Sequence, residues 1–441
     1  MLAGPAFSEG GIAEPHASAK EKSLSKLSTS AGAAFFLGLL WCATANAFAQ
    51  AAPPTHPAPS PTPTATPAPT PAPTPFKLIT LQGSGDAGFS SVNLTKAARF
   101  TDGTPSRVFD TSTGPFFDEN GGREITGPSN VNQIPDLQNL NLSATINGAV
   151  LSGKIEGSFG SDANVIASNG QARNGTNLTQ AYLQAATGPV TVLVGKFETL
   201  AGAELIEGPL NTNYSRSYLF GYAIPFTHTG ARLTYAVNSK VSVVVGANNG
   251  WDDWKFAGKK KTLEGALLLT PSPAVGLTVQ TYNGNDFAVN GNSALGLAPV
   301  YTNRMLYDSV LTVHATSALT VIANYDNGTQ LPDSGAFFPF AAHWNGIAGY
   351  LNYTFSPILG LSLRKETFHD DNGFRTGLPG GVRVQSNTAT LGYTPTSNYI
   401  VRLEYRLDGA DSNAFTFLNA PPGIGRDHQS SVGAEFIYKL P

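Results

Sequence analysis

A single cysteine, Cys42, is the whole thiol inventory of 441 residues, and it falls inside an apolar leader. Beyond that leader disulfide staples and thiol chemistry are excluded, so the rest of the chain must hold by packing and backbone pairing. Charge is scarce too. Only 13% of residues are Asp, Glu, Lys or Arg, about half the usual share. The 27 basic residues against 30 acidic ones create no positive field, which excludes phosphate-backbone binding and predicts no nucleic-acid partner. Helical periodicity is also missing: from residue 77 onward apolar residues do not recur at three-to-four spacing. Plentiful instead are glycine, with 47 residues, and aromatic side chains, at 10%.

The front of the chain reads as an address. Lys20, Lys22 and Lys26 precede the run AGAAFFLGLLWCATANAFA, which ends in Ala47, Phe48 and Ala49, an A-x-A cleavage pattern. Residues 1–49 are therefore expected to be a cleaved signal peptide; a retained anchor is the alternative, since 19 uncharged residues could span a bilayer. Residues 50–76 follow as a proline-rich disordered linker, with 11 of the 31 prolines between 51 and 76. Extended as polyproline it would reach roughly 80 Å.

Residues 77–441 form the third expected unit. Short alternating runs are separated by Gly, Asn, Asp and Pro, and sixteen can be counted, from ITLQGSGDAGFSS near the start to SVGAEFIYKL at the end. The links between them alternate in length. Those after the even runs are short (NG, TGP, VNS, PSPA, TSA, SP, TPTSN), whereas those after the odd runs are long, such as 198–222, 284–303, 327–343 and 408–428. Short turns at one end and long loops at the other predict an all-β fold, a transmembrane up-and-down antiparallel β-barrel of about 16 strands. A Greek-key sandwich would not produce that alternation.

The run YIVRLEYRLDG, 399–409, shows what the two faces would touch. Tyr399, Val401, Leu403, Tyr405 and Leu407 share one face, while Arg402, Glu404, Arg406 and Asp408 share the other. Tyr235, Tyr353, Phe355, Tyr393, Tyr399, Phe436 and Tyr438 all lie on the apolar phase near a short turn or the C-terminus, as a girdle at a membrane interface would. Membrane sheets must satisfy every backbone group internally, so only a closed barrel survives in lipid. The polar phase, with Lys154, Glu156, Arg364, Glu366, Arg402, Glu404, Arg406 and Asp408, is then expected to line a pore. Sixteen strands leave room for water inside.

Two stretches carry a family resemblance: NYSRSYLFGYAIPFTHTGARLTYAVNSKVSVVVGANNGWDD, 213–253, and the preceding GKFETLAGAELIEGP. Together about 60 residues resemble the outer-membrane β-barrel porins of the second, OmpL-like family. The resemblance implies a bacterial outer-membrane porin and supplies no catalytic residue; the expected activity is passive diffusion of small hydrophilic solutes or ions, with no cofactor required. It further implies that the third long loop, 198–222, folds into the lumen as it does in sixteen-stranded general porins. Tyr214 and Arg216 would then sit at a pore constriction with Lys196, His228 and Arg232, facing Glu198, Glu204 and Glu207 as counter-charges. Opposed charges across a lumen set weak ion preference; the plainer alternative is that Arg216 and Glu204 only tie the loop down. The final strand, with Ser431, Gly433, Phe436 and Tyr438, resembles the terminal signal read by barrel-insertion machinery, although the chain ends in Leu440 and Pro441.

Two other classes remain open on the residues alone, an outer-membrane barrel enzyme and an exported surface adhesin. Catalysis needs a convergent base and nucleophile or acid pair. The histidines beyond residue 76 are scattered singly, and FHDDNG at 368–373 reads as a turn more readily than as a metal site or general base. No HExxH, GxSxG or GxxxxGK[ST] pattern is present. The expected partners are outer-membrane lipid, the insertion machinery and small hydrophilic solutes, with a homotrimer as the candidate assembly.

Overall fold

The computed structural model describes residues 79–92, 109–110, 114–115 and 136–148, and most of 150–440 apart from 161, 164–165, 170, 172–174, 257–259, 290–299, 333–339, 377–379, 413 and 417–424. The expected leader and linker lie outside these residues.

Sixteen strands pair in one closed antiparallel barrel. In chain order they are β1 (Ile79–Val92), β2 (Asp136–Asn147), β3 (Leu151–Phe159), β4 (Thr176–Thr187), β5 (Val190–Glu198), β6 (Thr227–Asn238), β7 (Val241–Asn248) and β8 (Thr262–Ser272). There follow β9 (Val275–Val289), β10 (Val300–His314), β11 (Leu319–Gln330), β12 (Ala342–Ser356), β13 (Leu359–Asp370), β14 (Val382–Thr396), β15 (Tyr399–Ala410) and β16 (His428–Lys439). Each strand pairs with its chain neighbour. The ring is sealed where β1 meets β16, with Ser84 opposite Lys439 and Val92 opposite Ser431. Closure leaves no strand edge unpaired, the condition lipid imposes.

The links alternate as the sequence requires. Residues 188–189, 239–240, 273–274, 357–358 and 397–398 turn the chain at one end; 199–226, 249–261 and 371–381 are among the long loops at the other. Short strand-to-strand turns fix the register.

Period two then sorts the faces. On β15 Leu403, Tyr405 and Leu407 are exposed while Arg402, Glu404, Arg406 and Asp408 are buried. The seven girdle aromatics are all exposed, at 36% to 56%, and several touch: Tyr399 lies 5.8 Å from Phe436 and 5.1 Å from Tyr438, and Tyr353 5.0 Å from Phe355. Apolar rings outside and charges inside invert a soluble core.

One element departs from the plain barrel. The loop of residues 199–226 enters the lumen, carrying a 3-10 turn at Gly208–Leu210 and a π-helical turn at Leu219–Ala223 whose five residues are all buried. Leu219, Phe220, Tyr222, Ala223, Ile224 and Phe226 join Trp251, Trp344, Phe368, Val382 and Val384 in an apolar cluster. Burial of such side chains contributes about 1.5–3 kcal/mol each. The lumen is thus packed dry on this side, beneath the long-loop end.

Candidate functional site

The inward path of the loop follows from what the wall offers it. Wall positions are small where the loop lies closest: a Cβ on Gly346 would come within 2.7 Å of Leu219 Cδ1, and one on Gly433 within 2.5 Å of the Tyr214 ring. Between those contacts the loop's backbone replaces water as the partner of wall charges. Tyr214 N and Ser215 N donate to Glu404 at 2.8 and 3.0 Å, and Tyr218 N donates to Glu366 at 2.6 Å. Arg402 donates to the carbonyls of Gly208, Pro209 and Asn211. Arg406 Nη1 reaches Arg216 O at 2.6 Å and Ser215 Oγ at 3.2 Å.

Arg364 is the hub. Its Nη1 donates to Glu204 Oε1 at 2.7 Å and Ser215 O at 2.6 Å; Nη2 reaches Ser215 Oγ, Arg216 O and Thr388 Oγ1 at 3.1 to 3.3 Å. Glu366 lies 3.3 Å from its Nε. Ion pairs so enclosed need every donor and acceptor satisfied to be tolerated. Arg402 with Glu435 and Arg406 with Asp408, each at 2.8 Å, complete the set.

Six of the expected pore-lining residues therefore need correction. Arg364, Glu366, Arg402, Glu404, Arg406 and Asp408 do face the lumen, but the loop covers them and they do not border water. Arg216 and Glu204 act as ties: the Arg216 Nη2 donates to Ile206 O at 2.5 Å with its guanidinium over Phe220, and Glu204 accepts from Ser217 N at 2.8 Å as well as from Arg364. Tyr214 is buried against Gly433. His228 stacks on Tyr282 at 4.7 Å, fully enclosed. Arg232 grips Glu264 through Nε and Nη2 at 3.1 and 2.7 Å.

Lys196 departs further. It shares the outward phase of Val194, whose cross-strand neighbour Leu183 is exposed. Its Nζ donates to Gln171 Oε1 and Leu178 O and lies 5.7 Å from the Trp254 ring, so it belongs to the loops outside the channel.

The charges brought together where the loop meets the opposite wall are Lys154, Glu156, Glu198 and Glu207. The three carboxylates lie within 4.8 Å of one another. Lys154 Nζ sits 2.5 Å from Glu156 and 3.5 Å from Glu207 on the loop. Unlike the arginines, Lys154 keeps 22% of its side chain exposed. Toward the short-turn end the lumen-facing Thr145, Ser152, Tyr182, Gln184, Thr191 and Leu193 are half-buried.

Further inward charges and polar groups, not expected from the sequence, lie on β8 to β11 and on β16. Glu264, Tyr282, Asp286, Arg304, Asp308, Asn324, Asp326 and Glu435 all face inward and are buried; period two would have found them. The FHDDNG segment splits by face. His369 lies on the outward phase beside Asp371 at 3.2 Å, whereas Asp370 faces inward and accepts from Arg375 N and from Thr376.

The sequence profile of the family described as beta-barrel porin-2, OmpL-like, matches residues 112–440. The chain belongs to this porin family. It is a bacterial outer-membrane porin, and no curated protein matches it in sequence. Solved channels share the fold at low identity. The outer membrane channel DcaP of Acinetobacter baumannii is 14% identical with a TM-score of 0.55, over 82% of this chain and 97% of that one. The anion-selective porin from Comamonas acidovorans is 10% identical with a TM-score of 0.51, over 82% and 99%. OmpT of Vibrio cholerae in its trimer form is 12% identical with a TM-score of 0.50, over 82% and 99%.

Proposed function

We propose that this porin passes small hydrophilic solutes and ions by passive diffusion along the wall of β2 to β5, narrowest where Lys154 faces Glu207. The half-exposed Lys154, set among buried charges at the level of the loop, carries this reading. A cation and three carboxylates at one narrow point favour hydrated, polar solutes over apolar ones and give a weak ion preference. Catalysis has no place in it. The placement of His369 and Asp370 on opposite faces of β13 supports this reading.

The same reading has residues 1–49 removed during export and 50–76 acting as a tether. The terminal strand serves insertion, and three copies assemble; the trimer form of OmpT supports that last point by analogy. In planar bilayers, Lys154→Ala combined with Glu207→Ala should raise single-channel conductance and shift ion preference. Unchanged currents and permeability ratios would remove this point from the path.

A further inference from the structure

Nearly every buried acid in the lumen has a cation or a row of backbone donors. Glu264 has Arg232, Asp286 has Arg304 at 3.1 Å, Glu204 and Glu366 have Arg364, Glu435 has Arg402, and Asp408 has Arg406. Among the described residues, Asp308 on β10 and Asp326 on β11 have neither a lysine nor an arginine as partner. They are directly opposed cross-strand partners facing the lumen, and both are fully buried.

The donors around the pair are distributed unequally. Asp308 accepts three: Gln280 Nε2 at 2.6 Å, Asn324 Nδ2 at 2.8 Å and Gly202 N, from the loop, at 3.1 Å. Neither oxygen of Asp326 meets an N–H or hydroxyl donor among the described residues. Two adjacent buried carboxylates without a counter-ion cannot both stay charged. A metal ion would compete for the oxygens of Asp308, which point at N–H groups.

We propose that Asp326 keeps a proton at neutral pH and donates it to the charged Asp308, and that this shared proton is a latch regulating the constricting loop. The inference rests on the reading of residues 199–226 as the channel's constriction. Asp308 is where the loop's entry is pinned: Gly202 N bonds it directly, Ala203 N bonds Asn324 Oδ1 at 3.2 Å, and Gln280 also bonds Leu200 O. Gly202 has φ +85, and a Cβ there would meet Ile224 Cδ1 at 2.6 Å, so the entry has little slack. The groups facing the pair are Gln280 from β9, Asn324 from β11, Gly346 opposite Asp326 on β12, and Gly202 and Ala203 from the loop, none of which titrates. Loss of the proton leaves two like charges in contact and drives Asp308 away from Gly202.

The test combines infrared spectroscopy of the detergent-solubilised full chain with bilayer recordings, each from about pH 6 to about pH 10. Wild type minus Asp326→Asn should show a protonated-carboxyl band at neutral pH. As that band disappears on raising the pH, wild-type conductance should change, while Asp326→Asn, which keeps a neutral donor beside Asp308, stays level. Three results would overturn the latch: no band at neutral pH, a band that persists to about pH 10, or a band lost without a conductance change. A neutral-pH conductance that responds to calcium and to chelator, with no band, would put a cation in the proton's place and overturn it too. Absence of channels at any pH in either protein would instead count against the porin reading.

Discussion

Arg364 shows how a wall charge becomes a structural one. Its guanidinium faces two carboxylates and two loop carbonyls with none of its side chain exposed. Arg364→Ala leaves Glu204 without its cation and should cost about 3–5 kcal/mol, read as a lower unfolding temperature in detergent. It should also raise conductance by loosening the loop. Arg364→Lys should recover little, because an ammonium cannot supply the fork.

Acid–base behaviour at this scale is clearest in the loop after β7. Burial, and then the charge of Asp286, push the Asp253 carboxyl up to about 8; burial pushes Asp252 up to about 6. Asp253 accepts from Asn169 at 2.9 Å, and the two segments exchange backbone bonds, Asn169 N to Asp252 O and Trp254 N to Asn169 O. Both acids bind their protons more tightly folded than unfolded. The contact is therefore firmest below the ordinary value of 3.8 and weakens as pH rises through about 6 and about 8. Intrinsic-rate-corrected hydrogen exchange at Trp254 N should be faster above the upper value than at neutral pH; equal protection would contradict this.

At the scale of elements, the strands were legible because alternation is a two-residue rule that each strand obeys by itself. ITLQGSGDAGFSS, the first run counted, is all of β1 but its last residue. Lys196 was misjudged because VTVLVGKFE is apolar on both phases over most of its length, so nothing marks which face is inside. The fate of Arg364, Arg402 and Arg406 was not legible either. Whether an inward charge meets water or a loop depends on contacts some 150 to 190 residues away in the chain, and no local period encodes them. Trp344 and Phe368, apolar residues on the polar phase, were the readable trace of the plug. The outward face gives an element-scale prediction. Leu403→Arg, on the lipid side of β15, should destabilise the barrel by about 2–4 kcal/mol in a denaturant titration in lipid vesicles. A near-zero change would mean that this face does not meet hydrocarbon.

For the whole molecule, sixteen strands and one inward loop make a barrel whose wall arginines are buried under that loop, while lumen-facing residues toward the short turns are only partly buried. On the proposed reading the loop narrows the channel without closing it: Lys154 keeps part of its side chain exposed while Arg364, Arg402 and Arg406 are buried. The family match and the shared fold of solved outer-membrane channels are consistent with that architecture. The most direct measurement is single-channel recording of the purified protein added to a planar lipid bilayer. Discrete, ohmic conductance steps at neutral pH are the predicted result; a protein that inserts into the bilayer and conducts no ions would contradict the account.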